Sequence, residues 1–255
     1  MENFKDKLSD FYNKFNEDKR LNTRHGQVEF FTSMKYIHEY LSNNDKVVDI
    51  GAGSGKYSIT LKNEGYDVTA VELVRPNIGK IKRNDPTLKV IEANATDLSM
   101  FKDNEFDVAI MFGPMYHLYT KEDRLKALNE VKRITKKYIF VTYIMNEYAV
   151  LKYAFIDNNY KDIKDKLDEN YRINDPDNYF FEIRLEDIDE LNKLADLKLI
   201  KRFASDGPGD YIRPVLNNMD EETFDAYIDY HQKTCERPEL LGASSHVVDI
   251  LTKNE

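Results

Sequence analysis

The sequence predicts an α/β fold built on a mostly parallel sheet. Three observations carry this expectation. Short β-branched runs recur between residues 46 and 144, helical stretches separate them, and the first run ends in closely spaced glycines.

Residues 1–45 read as helical, because Phe4, Leu8, Phe11, Tyr12 and Phe15 recur at three- and four-residue steps. A second helix is expected from Val28 to Leu41, with Phe30, Phe31, Met34 and Ile37 on one stripe. Between them Arg20 to Gly26 is too polar for core and reads as a loop facing whatever the domain binds. Val47–Ile50 is the first strand, ended by glycines as a buried parallel strand is. Further strands are predicted at Asp67–Glu72, Leu88–Ile91, Phe106–Met111 and Tyr138–Tyr143, with helices at Lys56–Glu64, Arg75–Arg83 and Arg124–Thr135. Beyond Met145 the pattern loosens. Helical stretches are read at Asn146–Asn158, Tyr160–Glu169, Leu185–Ala195 and Met219–Thr234, and strands at Tyr179–Arg184, Leu197–Ala204 and Ser245–Leu251. With no repeat or linker in view, one domain over residues 1–255 is expected: a helical lid (1–45), a ligand-binding core (46–144) and remaining strands with inserted helices (145–255).

Composition narrows the function. With 37 basic and 46 acidic residues the formal charge is −9, which disfavours a phosphate backbone as main partner. The single cysteine, Cys235, cannot form an internal disulfide and has no companions at zinc spacing, so no metal is predicted. The charged N-terminus lacks the apolar centre of a signal peptide, and no apolar run approaches the roughly 20 residues of a membrane span. A cytoplasmic protein is expected.

The most informative stretch is Val47–Ser58, VVDIGAGSGKYS. A strand runs through Gly51, Gly53 and Gly55 into a helix, a turn that needs glycine dihedrals and lets a ligand approach bare backbone. Glu72 follows at the end of the next strand, suited to accept both hydroxyls of a ribose. The order is GxGxG rather than the GxGxxG of a dinucleotide site, and Asp49 stands two residues before the first glycine. An acid there would repel a pyrophosphate, yet could receive the ammonium of an amino-acid tail. S-adenosylmethionine has that tail with a ribose and a base; NAD fits poorly.

VVDIGAGSGKYS, the acid in VTAVEL, the NATDL segment and FDVAIMFGPMYHL resemble the ordered motifs of class I S-adenosylmethionine-dependent methyltransferases, over about residues 46–144. The resemblance is strongest to small-molecule types and implies a Rossmann-like sheet, mostly parallel with an antiparallel last strand, plus helical lid insertions. It also implies roles. Gly51, Ala52, Gly53 and Gly55 would line the methionine part and Leu73 would pack on the adenine. Asn94, Ala95 and Thr96 stand where the family carries an acid before an alanine; Asn94 would accept from the adenine amino group, with Asp97 as a rival, and the Ala95 N–H would meet the ring. Phe112 and Gly113 would sit close to the sulfonium.

Methyl transfer needs an aligned nucleophile and, for a hydroxyl or ammonium, removal of a proton. The loop Gly113–Leu118 leaves the carboxyl end of a central strand, where open α/β sheets place ligands. His117 is the candidate base and Tyr116 could orient the acceptor; the alternative is that both cap the loop or touch cofactor without moving a proton. Arg24 could pair with the cofactor's carboxylate as the lid folds over it, or Arg20, Arg24 and His25 could be solvated charges. His38, His231 and His246 read as structural or surface residues. The aromatics Tyr143, Tyr148, Tyr153, Phe155 and Tyr160 read as core rather than acceptor pocket, and the basic run Arg124–Lys137 as a solvent-facing helix. The resulting expectation is methyl transfer to an O or N atom of a small molecule, by a monomer or homodimer. The competing readings are a tRNA or rRNA methyltransferase and a cofactor-binding protein without methyl transfer.

Overall fold

The computed structural model describes residues 17–175 and 178–254. The amphipathic pattern from Phe4 to Phe15 lies outside them. Helices α1 (Glu17–Asn22) and α2 (Arg24–Tyr40) precede the first strand. Only Thr23 separates them, its hydroxyl capping α2 by accepting from the Gly26 N–H at 3.4 Å. The expected loop at Arg20–Gly26 is therefore helical at both ends. A Cβ at Gly26 would lie 2.1 Å from the Arg20 carbonyl oxygen, so glycine lets α1 fold back against α2.

The chain then alternates as the pattern predicts: β1 (Lys46–Ile50), α3 (Lys56–Asn63), β2 (Asp67–Glu72), α4 (Arg75–Asn84), β3 (Lys89–Glu92), β4 (Phe106–Met111), α5 (Lys121–Ile134) and β5 (Thr135–Met145). After β5 come α6 (Asn146–Ala149), continuing as a π-helical stretch to Ile156, and the single turn α7 (Tyr160–Ile163). They are followed by β6 (Glu182–Ile183), α8 (Leu185–Leu194) and β7 (Leu197–Ala204). The short helices α9 (Arg213–Asn218) and α11 (Pro238–Leu241), which the periodicity did not predict, flank α10 (Glu221–Thr234) before β8 (His246–Lys253).

The strands form one sheet in the order β3-β2-β1-β4-β5-β8-β7, with β6 paired to the end of β5. The ladder from β3 to β5 is parallel, and β8 runs antiparallel between β5 and β7. Strands β1, β4 and β5 are buried on both faces, as continuous runs such as VVDI and VAIM require. The turn from β1 to β4 in the order opens the sheet at its carboxyl edge, where a ligand can enter.

Three expectations fail in detail. Only Glu182–Ile183 of the predicted strand Tyr179–Arg184 pairs with the sheet. Of the five aromatics read as core, Tyr143 and Tyr148 are buried but Tyr153, Phe155 and Tyr160 are exposed. They belong to the π-helical stretch and α7, which no layer of the described residues covers. Arg124 is buried rather than solvated: its guanidinium donates to the Leu118 carbonyl (2.6 Å) and lies 3.9 Å from the Phe181 ring centroid. That fastens the loop after β4 to α5.

Candidate active site

The carboxyl ends of β1, β2 and β4 open into a cleft, and most residues expected to hold a nucleoside line it. Its floor is the loop after β1. Gly51, Gly53 and Gly55 have φ of +75°, +57° and +88°, in the left-handed region that suits glycine. At Gly51 a second constraint applies, because a Cβ there would lie 2.6 Å from Pro114 Cδ. The loops after β1 and β4 touch at that point, and only glycine allows it.

Glu72 ends β2 with its carboxylate clamped by backbone. Oε2 accepts from the Gly53 N–H and Oε1 from the Val74 N–H, both at 2.7 Å. Burial pushes its pKa up to about 7, against the pull of these bonds. Asp49 accepts from the Ser58 hydroxyl at 2.5 Å, and burial pushes it up to about 6. Two buried carboxylates held by neutral donors thus face one cleft, each retaining lone pairs for a ligand.

The nucleoside end is closed by Leu73, Ala93, Asn94 and Ala95. Asn94 Oδ1 accepts from the Thr96 N–H at 3.1 Å, closing a local turn that turns Thr96 away from the cleft lining. Asp97, the rival for the adenine amino group, is exposed and bonds the Ser99 N–H at 3.2 Å.

Phe112, Gly113, Tyr116 and His117 form the opposite wall. The Tyr116 hydroxyl donates to the Phe112 carbonyl at 3.2 Å. His117 Nδ1 lies 2.9 Å from the Tyr179 carbonyl. A carbonyl only accepts, so the proton sits on Nδ1 and Nε2 carries the lone pair. Burial lowers this imidazole to about 4, which leaves it neutral at pH 7 and a weak proton acceptor. Its visible task is to hold the Tyr179–Phe180 segment over the loop.

Arg24 does not line the cleft. Because α2 starts one residue after Thr23, its guanidinium points to the Phe224 ring, 5.4 Å from the centroid. Arg20, on the last turn of α1, takes its place in the lining. It forks onto Glu29 of α2, with Nη1–Oε2 at 2.6 Å and Nη2–Oε1 at 3.2 Å. Glu29 also faces His246 Nδ1 at 3.9 Å, which bonds Asp206 Oδ2 at 2.9 Å. Sequence reading missed Arg20, Glu29, Asp206 and His246 as a group. The one local signal was an acid between two buried residues, Val28 and Phe30.

Ligand atoms of Glu29, Asp206 and His246 all lie within 4.8 Å of one another. They are satisfied as ion pairs. Arg20 holds Glu29, while Asp206 Oδ1 takes both the Ser244 hydroxyl (2.8 Å) and the His246 N–H (2.9 Å).

The chain's relatives carry methyltransferase names. Residues 48–140 match the family model described as "Methyltransferase domain". A glycine/sarcosine N-methyltransferase from Parasynechococcus marenigrum is 33% identical over 95 residues, 35% of this chain and 34% of that one. A demethylmenaquinone methyltransferase from Renibacterium salmoninarum is 37% identical over 92 residues, covering 36% and 37% respectively. The chain spans between 18% and 58% of the length of the first curated relatives it matches. In three dimensions, 1,6-didemethyltoxoflavin-N1-methyltransferase from Burkholderia thailandensis superposes with a TM-score of 0.58 at 12% identity, covering 98% of this chain and 87% of that one. That structure holds 1,6-didemethyltoxoflavin and S-adenosylhomocysteine.

Sheet order, glycine loop and clamped acid define a Rossmann-like α/β fold whose cleft suits a nucleoside. Over residues 48–140 the chain carries a methyltransferase domain, and its fold is shared with S-adenosylmethionine-dependent methyltransferases of known structure. The cofactor of those enzymes suits the residues present. Ser54 Oγ is buried in the cleft lining with no hydrogen-bond partner, a donor awaiting a ligand. A Cβ built on Gly53 would meet nothing within 4 Å, so the loop leaves room.

Proposed function

We propose that this chain, acting as one domain, is an S-adenosylmethionine-dependent methyltransferase that methylates an O or N atom of a small molecule. The observation that carries the reading is the Glu72 carboxylate, clamped by Gly53 and Val74 at the mouth of the glycine loop. Its remaining lone pairs are suited to two ribose hydroxyls. Asp49 and Ser54 would serve the methionyl arm with the backbone of Gly51, Ala52 and Gly53, whereas Gly55, expected there too, packs beneath the loop against Ile59 and Ile81 instead of lining the cleft. Leu73, Asn94 and Ala95 would enclose the adenine, and Phe112 and Gly113 would border the sulfonium. When bound, the cofactor supplies a methyl group on a cationic sulfur. The protein's work is then to align the acceptor and to exclude water.

A small acceptor is favoured by the −9 charge, which opposes polynucleotide binding. Relatives named for glycine or sarcosine, menaquinone and toxoflavin chemistry support the same class. No helix among the described residues is long and apolar enough to cross a membrane, in keeping with a cytoplasmic site of action.

S-adenosylhomocysteine should raise the melting temperature at concentrations where NAD leaves it unchanged, since only a bound ligand stabilises the fold. Equal shifts, or a shift with NAD alone, would overturn the reading. Tritium transfer from methyl-labelled cofactor into a metabolite extract then tests the reaction. His117→Ala should lower labelling more than S-adenosylhomocysteine affinity. Equal losses, measured by calorimetry beside the label assay, would make His117 a binding residue.

A further inference from the structure

Glu29 is a carboxylate in the cleft lining that the nucleoside reading does not use. It lies on α2, bonded to Arg20 of α1. Its surroundings hold it charged. Burial alone would raise its pKa, but the Arg20 guanidinium and the His246 imidazole beside it bring it below the ordinary value. His246 is pushed up to about 9: burial opposes this, and Asp206 and Glu29 on either side outweigh it. The groups facing Glu29 are thus Arg20 from α1 and His246 from β8, with Asp206 behind His246 and the Tyr116 ring 6.2 Å from the imidazole. Ser54, buried and unpartnered in the same lining, marks the cleft as built for a polar ligand.

Resting on the methyltransferase reading, we infer that Glu29 is the acceptor-reading residue and that the acceptor is a small amine. The argument is one of charge. A carboxylate flanked by two cations is a poor proton acceptor, so it is ill suited to strip a hydroxyl; it is well suited to seat an ammonium, exchanging one cationic partner for another. The transfer balances. The ammonium gives one proton to water at the cleft mouth. Its freed lone pair forms the N–CH3 bond as the C–S bond breaks, and the electron pair stays on sulfur. The methylated amine remains cationic at nitrogen, and the cofactor leaves as a neutral thioether. His246 and Asp206 are positioning residues, acting through the charge of Glu29.

The test uses the full chain, methyl-tritiated S-adenosylmethionine and a small-molecule metabolite extract, with products resolved on a strong cation exchanger from the unreacted cofactor, itself a retained cation of known elution position. Label should be retained by the exchanger as a basic nitrogen compound. Glu29→Gln should reduce it by at least about 30-fold while S-adenosylhomocysteine affinity, read by calorimetry, stays within about threefold of wild type. Glu29→Asp should recover part of the labelling. Asp206→Asn should bring the alkaline limb of the labelling rate down toward neutral pH, because His246 then loses the anion that keeps it protonated; an equal loss at every pH would overturn the positioning role. Label only in products without a basic nitrogen overturns the amine inference and leaves methyl transfer standing. A Glu29→Gln protein that loses S-adenosylmethionine but keeps S-adenosylhomocysteine also overturns it, by assigning Glu29 to the sulfonium. Tight cofactor binding with no label in any fraction overturns the methyltransferase reading and this inference together.

Discussion

Replacing Glu72 with alanine is expected to weaken S-adenosylhomocysteine binding by about 1–3 kcal/mol, the cost of leaving polar ligand groups unpaired in a buried site. Calorimetry at pH 7.5 measures it, and unchanged affinity would remove Glu72 from the ligand's reach. The pH dependence gives a second reading. The folded pKa of about 7 lies above the ordinary 4.5, so the empty protein binds a proton at Glu72 that the unfolded chain releases earlier. The contribution of this group to stability is therefore present below about 4.5 and is lost as pH rises toward 7. A ligand that donates two hydroxyl protons prefers the ionised form. Affinity should thus rise by up to about tenfold per pH unit below 7 and level off above it. Glu72→Gln should flatten that profile.

The second large effect is expected at Gly51→Ala. Any other residue there must adopt a left-handed backbone at roughly 1–2 kcal/mol, and its Cβ would collide with the Pro114 ring at 2.6 Å. The loops after β1 and β4 would have to part, which displaces the cleft floor and the wall bearing Phe112 and Gly113. A total of about 2–4 kcal/mol is expected, together with loss of detectable S-adenosylhomocysteine binding. Thermal melting with and without ligand checks both. Normal melting and binding would mean that the contact with Pro114 relaxes without cost.

How far the sequence discloses this site depends on how local each signal is. The glycine loop and Glu72 lie in consecutive strand-turn-helix units, so spacing alone locates them, and β1 to β5 follow from runs that are apolar on both faces. Arg24 is the instructive departure. The stretch NEDKRLNTRHG has too few apolar residues to show a helical period, and a single threonine cap decides which arginine meets the cleft. One residue of difference in a helix start rotates a side chain by about 100°. Asp206 and His246 come together at the end of the β7–β8 ladder, while Glu29 reaches them from α2, on the far side of the sheet in sequence. No periodicity encodes such a meeting. The π-helical stretch after β5 shows the reverse: its aromatic composition suggests core, but the sheet offers no face to receive it.

The seat of β8 has a consequence for how the chain assembles. Within the sheet β7 bonds only to β8, and β8 is translated more than forty residues after β7. Strands β1 to β5, carrying the glycine loop and Glu72, can pair as soon as they leave the ribosome. Strand β7 must wait, without a neighbour, until β8 inserts itself against β5. At ribosomal rates of about 5–20 residues per second that interval lasts seconds. During it the nucleoside half can exist while the exposed edge of β5 stays open to foreign strands. A chaperone footprint on nascent chains is therefore expected to concentrate there, and to vanish once His246 and its strand are home.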